Sequence, residues 1–143
     1  MKVLFVCYAN VGRSQIAEVY FQRLSQHQCE SAGIGVDATI AAMKLPSKKL
    51  KDNPVQRSVE YIRREFGVDV REKESRQLLP EMVAAADLTV VIAEKEQWPA
   101  YLQEAEKLIF WDIPDPLERS DDVARDLYRE VQRRIEALVA RIG

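Results

Sequence analysis

The sequence predicts an α/β fold built around a parallel sheet. Two observations carry this. Short apolar runs alternate along the chain with segments whose apolar residues recur every three or four positions. The chain is also a single stretch of 143 residues, 47% hydrophobic and 31% charged, with no linker, internal repeat or low-complexity tract. That suits one domain, spanning 1–143, with a proper core.

The elements follow in order. Lys2–Val6 is an apolar run of strand length. From Ser14 to Ser25 the spacing turns helical, with Ile16, Tyr20 and Leu24 every fourth residue and Ala17 and Phe21 beside them. Gln28–Ala32 reads as a second strand. Residues 33–52 read as a long loop holding Gly33, Gly35 and Pro46, with Lys44, Lys48, Lys49 and Lys51 as a solvated basic run. The next helix is punctuated by Asn53 as a cap, Pro54 in its first turn and Gly67 at its end. Val55, Val59, Ile62 and Phe66 form its apolar face. Pro80 opens a further helix through Ala86, Leu88–Ala93 is a third strand, and a weaker helix lies near Pro99–Ala105. Lys107–Trp111 is the fourth strand, and residues 112–122 form a second loop. The last helix runs from Asp121 to Ile142, with Val123, Leu127, Val131, Ile135, Leu138 and Ile142 on one side and its Glu and Arg residues on the wet face.

Composition removes several function classes. A net charge of −2 speaks against a nucleic-acid or membrane-surface partner. No run approaches the roughly 18 apolar residues of a membrane span. Lys2 and the apolar residues after it resemble the start of a signal peptide, but Asn10 and Arg13 interrupt the pattern too early. Cys7 and Cys29 are too few for a disulfide framework, so a reducing, cytoplasmic setting is expected. Cys29 reads as strand filler. The single histidine, His27, reads as an exposed loop residue that supports neither a metal site nor a Cys–His pair.

The chemistry concentrates at the end of the first strand. Cys7 is followed by Tyr8, Ala9, Asn10, Val11, Gly12, Arg13 and Ser14, and a helix opens there. A loop between a strand end and a helix start collects unpaired backbone N–H groups and the positive end of the helix dipole, a cradle for tetrahedral oxyanions. Those groups and the Arg13 guanidinium favour the Cys7 thiolate, a nucleophile beneath a bound phosphate. Such a mechanism needs an acid. Asp112 and Asp115 both follow the fourth strand, and strand carboxyl ends in a doubly wound sheet gather at one edge. Pro116 holds Asp115 toward extended geometry, so Asp115 is the expected acid, while Asp112 is expected to satisfy local backbone donors in a turn.

The whole chain resembles the low molecular weight protein tyrosine phosphatase family, which also includes the thioredoxin-coupled arsenate reductases. The resemblance rests on Cys7 through Ser14 after the first strand, Ser31-Ala32-Gly33 after the second, Phe66-Gly67-Val68-Asp69, Ala86-Asp87-Leu88, and Asp115-Pro116 late in the chain. It implies a four-stranded parallel sheet flanked by helices on both faces, and neither metal nor cofactor. It implies Cys7 as nucleophile, Arg13 as phosphate clamp and Asp115 as general acid and base. Ser14 is then a donor to the thiolate, and Asn10, helped by Ser31, holds the loop in shape. The expected substrate is a phosphorylated protein, phosphotyrosine first, or a small phosphate ester, with inorganic phosphate as product.

Four positions depart from the family pattern. Ala9 stands where a glycine often allows positive φ, which predicts a strained or reshaped loop. Gly12 replaces a second loop cysteine, so no disulfide with Cys7 forms there. Leu117 stands where phosphotyrosine-specific relatives carry ring-stacking aromatics, a role left open to Tyr8. Gln15 resembles the reductases more than the proline common in phosphatases. Two alternatives therefore stand beside the phosphatase: an arsenate reductase completed by an external thiol, since no cysteine follows Cys29, and an oxyanion-binding module with weakened catalysis.

Overall fold

Five consecutive residues of β1 (Lys2–Cys7) are buried, as expected of a central strand covered on both faces. The computed structural model describes residues 1–143. β1 pairs in parallel with β2 (Gln28–Gly33) on one side and β3 (Leu88–Val91) on the other, and β4 (Leu108–Phe110) completes a four-stranded sheet of order β2-β1-β3-β4. The expected fold class is the one observed. Strand boundaries differ from the expected ones by one or two residues, the usual fraying of element ends.

The alternation of β1 divides the core. Val3 and Phe5 face α1 (Arg13–Leu24), α3 (Arg57–Phe66) and α6 (Asp121–Ile142), while Leu4 and Val6 face Leu78, Leu102 and the shorter helices α4 (Pro80–Ala85) and α5 (Ala100–Gln103). The chain leaves β1 between strands that lie on opposite sides of it. In such a sheet the crevice at the strand carboxyl ends is the place for a ligand. No helix is long and apolar enough to cross a membrane.

Several expectations are corrected. Residues 33–52 are not a loop: they hold α2 (Val36–Met43), closed by Lys44 in the left-handed region (φ 53°), and a short 3-10 turn at Leu50–Asp52. The basic run is largely neutralised, with Lys48 on Asp37 and Lys49 and Lys51 both on Glu72. α3 begins four residues after Asn53, which instead accepts the Val55 N–H in a local turn at 2.8 Å and leaves Pro54 outside the helix. The Gln56 side chain holds that turn through the carbonyls of Leu50 and Asn53. Gly67 does end α3, at φ 67°. The buried stripe of α1 is Ile16, Ala17, Val19 and Phe21, and Leu24 is exposed. On α6 the buried residues are Ala124, Tyr128, Val131, Ile135 and Leu138, with Val123 exposed. His27 is half-buried, its ring 3.4 Å from the Ile142 carbonyl.

Candidate active site

Residues 8–12 connect the end of β1 to the start of α1 and wrap around the Cys7 side chain, which is 2% exposed. Its Sγ accepts the Asn10 N–H at 3.3 Å and lies 2.9 Å from Ser14 Oγ.

The strain in this loop falls one residue from where it is expected. Asn10, not Ala9, takes positive φ, at 55°, so alanine at position 9 costs the loop nothing in φ. The Asn10 side chain fixes that conformation completely. Its Nδ2 donates to Ser14 Oγ (2.7 Å) and Ser31 Oγ (2.9 Å), and its Oδ1 accepts from Arg76 N (2.9 Å) and Gln15 Nε2 (3.1 Å). Ser31 Oγ donates onward to Glu18 Oε1 at 2.6 Å, and Lys73 closes the chain on Glu18 Oε2 at 2.5 Å. Every member from Asn10 to Glu18 is buried, so a missing partner there carries the full cost of an unsatisfied polar group.

Two glycines shape the surroundings. A Cβ on Gly33 would lie 2.5 Å from Tyr8 O and 2.9 Å from Asn10 N, so only glycine lets the end of β2 approach the loop backbone. A Cβ on Gly35 would lie 2.3 Å from Tyr8 Cζ. The Tyr8 ring therefore packs over Gly35 and is not among the residues lining the cleft above Cys7. Gly12 is roomy by comparison, with Tyr128 Oη 3.5 Å from an added Cβ.

Arg13, 3% exposed, points its guanidinium across the cleft. Nη1 donates to Ile113 O at 2.9 Å and to Glu94 Oε1 at 3.2 Å, and Nη2 lies 3.5 Å from Asp115 Oδ2. Asp115, Cys7 and Arg13 share a cleft of about 130 Å³ whose outer wall is apolar: Met43, Val55 and Leu117. Asp115 is also the residue that makes the local turn contact, accepting Leu117 N at 2.9 Å. Asp112, expected to do so, is exposed and makes no such bond. Tyr128 rises from α6 into the same cleft, and burial pushes its hydroxyl up to about 12, so it remains a protonated donor.

Several of these residues were not legible in the sequence. Gln15 is fully buried, bracing Asn10 through both its carbonyl and its side chain. Glu94, Glu18, Arg57 and Tyr128 come from four separate segments, and no local spacing links them to Cys7. Cys29 is half-buried and donates to Glu18 O at 3.6 Å. Burial, with Glu18 close by, pushes its thiol up to about 12. No group of three or more His, Cys, Asp or Glu side chains is arranged to hold a metal ion.

Residues 2–143 match the family model described as low molecular weight phosphotyrosine protein phosphatase. Among solved structures, Vibrio vulnificus Wzb in complex with benzylphosphonate is 26% identical, with a TM-score of 0.78 over 99% of this chain and 98% of that one. A low molecular weight protein tyrosine phosphatase from T. tengcongensis is 25% identical, with a TM-score of 0.73 over 99% of both chains. The fold is shared with the YwlE arginine phosphatase, solved as a Cys-to-Ser mutant with a phosphorylated active-site serine. That chain is 19% identical, with a TM-score of 0.73 over 99% of this chain and 95% of that one.

Proposed function

Because the chain belongs to the low molecular weight phosphotyrosine protein phosphatase family, whose members are cysteine-dependent enzymes, we propose that it hydrolyses aryl phosphate monoesters, phosphotyrosine in proteins first, through a phosphocysteine on Cys7. The observation that carries this reading is the meeting of three groups in one cleft: a buried sulfur bonded by Asn10 N and Ser14 Oγ, a guanidinium and a carboxylate. The apolar wall of Met43, Val55 and Leu117 suits an aromatic leaving group in place of stacking aromatics. The benzylphosphonate complex of the Vibrio protein supports the same class of ligand.

In the first step the Cys7 thiolate attacks phosphorus and the bond to the leaving oxygen breaks. Asp115, protonated, gives its proton to that oxygen. The backbone N–H groups of residues 8–14 and the Arg13 guanidinium hold the equatorial oxygens, where charge accumulates. In the second step Asp115, now a carboxylate, takes a proton from water. The water oxygen attacks phosphorus, the sulfur–phosphorus bond breaks, and inorganic phosphate leaves with the Cys7 thiolate restored. Ser14 donates to the sulfur whenever it carries charge, and Asn10, with Ser31, keeps the loop in its shape. A reducing compartment, the cytoplasm, suits a nucleophile that works as a thiolate.

The test is turnover of an aryl phosphate by the native protein and by Cys7→Ser. The native protein should turn over. The variant should lose turnover by at least about 10³-fold while still binding inorganic phosphate, since the cradle is intact. Substantial activity in the variant would overturn the assignment of Cys7. Reduction of arsenate with an added thiol, without aryl phosphate turnover, would establish the reductase alternative, and activity in neither assay would leave an oxyanion-binding module.

A further inference from the structure

Asp115 sits in an irregular stretch, residues 111–120, whose own backbone bonds are sparse: Ile113 N to Trp111 O and Arg119 N to Pro116 O, both at 2.9 Å. A carboxyl group that must deliver a proton within hydrogen-bond reach of a leaving oxygen requires more order than two local turns supply. Trp111 and Ile113 anchor its first half in the core, and the backbone on either side of Asp115 is held by two arginines outside the stretch. Arg13 holds it before Asp115, through Ile113 O. Arg57, the first residue of α3, holds it after Asp115. Its Nη2 donates to Pro116 O at 2.6 Å and Leu117 O at 3.3 Å, and its Nη1 donates to Arg119 O at 2.6 Å and Asp121 Oδ1 at 3.3 Å.

We propose that Arg57 is a positioning residue for the general acid: it ties the carbonyls that follow Asp115 to the start of α3 and so keeps the Asp115 carboxyl over Cys7. The inference rests on Asp115 being the acid, as argued above. Arginine suits the task because its planar fork carries five N–H donors in fixed directions, enough to serve three carbonyls and one carboxylate at once. A lysine ammonium keeps the charge but cannot span that set. The geometry also separates the two functions of the cleft. Arg57 lines the same cleft but makes no hydrogen bond to residues 7–14, so replacing it removes a charge and no bond from the oxyanion cradle, and Arg57→Lys, which keeps the charge, isolates the positioning role.

The test compares Arg57→Met, Arg57→Lys, Asp115→Asn and the double variant Arg57→Met/Asp115→Asn on aryl phosphates of graded leaving-group acidity. Inhibition by inorganic phosphate reports the integrity of the cradle. Arg57→Met should lower kcat/KM, which reports the step that forms the phosphocysteine, by roughly 10-fold to 10²-fold on poor leaving groups and by less than about threefold on acidic phenols, while Arg57→Lys, which keeps the charge, leaves phosphate inhibition unchanged. The double variant should lose no more than Asp115→Asn alone. Arg57→Lys should show the same selectivity in milder form, and it carries the test if the methionine variant does not fold. A uniform loss across leaving groups, or a loss additive with Asp115→Asn, would overturn the positioning role and leave Arg57 as a general stabiliser. If Asp115→Asn itself shows no leaving-group dependence, the acid assignment falls and this inference falls with it. A selective Asp115→Asn beside unselective Arg57 variants overturns the inference alone.

Discussion

Asp115 and Asp112 are three residues apart, yet only Asp115 lies within 3.5 Å of Arg13 and on the cleft that holds Cys7. Asp115→Asn is therefore expected to lower kcat/KM, which reports the phosphocysteine-forming step, by roughly 10²-fold to 10⁴-fold on poor leaving groups and far less on acidic phenols. Asp112→Asn should show no such dependence, as steady-state rates on a graded aryl phosphate series will tell. Leaving-group sensitivity at Asp112 alone would move the acid three residues upstream. The two cysteines divide as cleanly. Cys29 is pushed up to about 12 by burial and by Glu18, so at neutral pH it is a protonated thiol, which is not the nucleophilic form. Iodoacetamide at pH 7 should label one cysteine per chain, Cys7, and inorganic phosphate should slow the labelling. Mass mapping that finds Cys29 modified first would contradict both the burial argument and the assignment of the nucleophile.

At the scale of elements, the active loop is held by neighbours on both sides. Gly33, the last residue of β2, lies so close to the loop that an added methyl group meets two backbone atoms, neither of which can yield cheaply. Gly33→Ala is expected to cost about 1–3 kcal/mol in a denaturation series and to weaken phosphate binding, because the clash falls on Tyr8 and Asn10. Gly12→Ala, with only ordinary contact to Tyr128, should show no comparable loss of stability. Equal destabilisation by the two would mean that the close approach at Gly33 is not what shapes the loop. α2 shows why an element escapes a sequence reading. Only Val36 in it is buried, so its apolar residues form no stripe, and glycine and lysines around it read as loop. Thr39 and Met43 nonetheless bring it to the cleft wall.

At the scale of the molecule, α1 and α6 pack side by side on one face of the sheet, and the cleft lies at the end of that layer. Ile135 is fully buried in this layer and takes no part in the cleft. Ile135→Ala should cost about 2–5 kcal/mol in the urea midpoint while leaving turnover per folded molecule close to native. A specific loss of turnover in the folded fraction would show that packing of α6 reaches the chemistry, and Tyr128, two turns earlier on the same helix, is the residue through which it would do so.

What the sequence determined by itself were the features written in short range. The apolar runs specify the four strands, the four-residue spacing specifies α1, α3 and α6, and the Cys7–Ser14 loop with Asp115-Pro116 points to the groups that meet in the cleft, because period and motif are local properties. Gly67 at the end of α3 and Pro80 at the start of α4 were legible for the same reason. Tertiary structure alone decided which residues brace those groups. Gln15 on Asn10, Glu18 on Ser31, Glu94 on Arg13 and Arg57 on the stretch after Asp115 join segments from 5 to 81 residues apart. A hydrogen bond between distant segments leaves no periodicity in either. It also decided between Ala9 and Asn10 for the positive φ, since only the folded loop offers Asn10 the serines and the Arg76 N–H that hold it there.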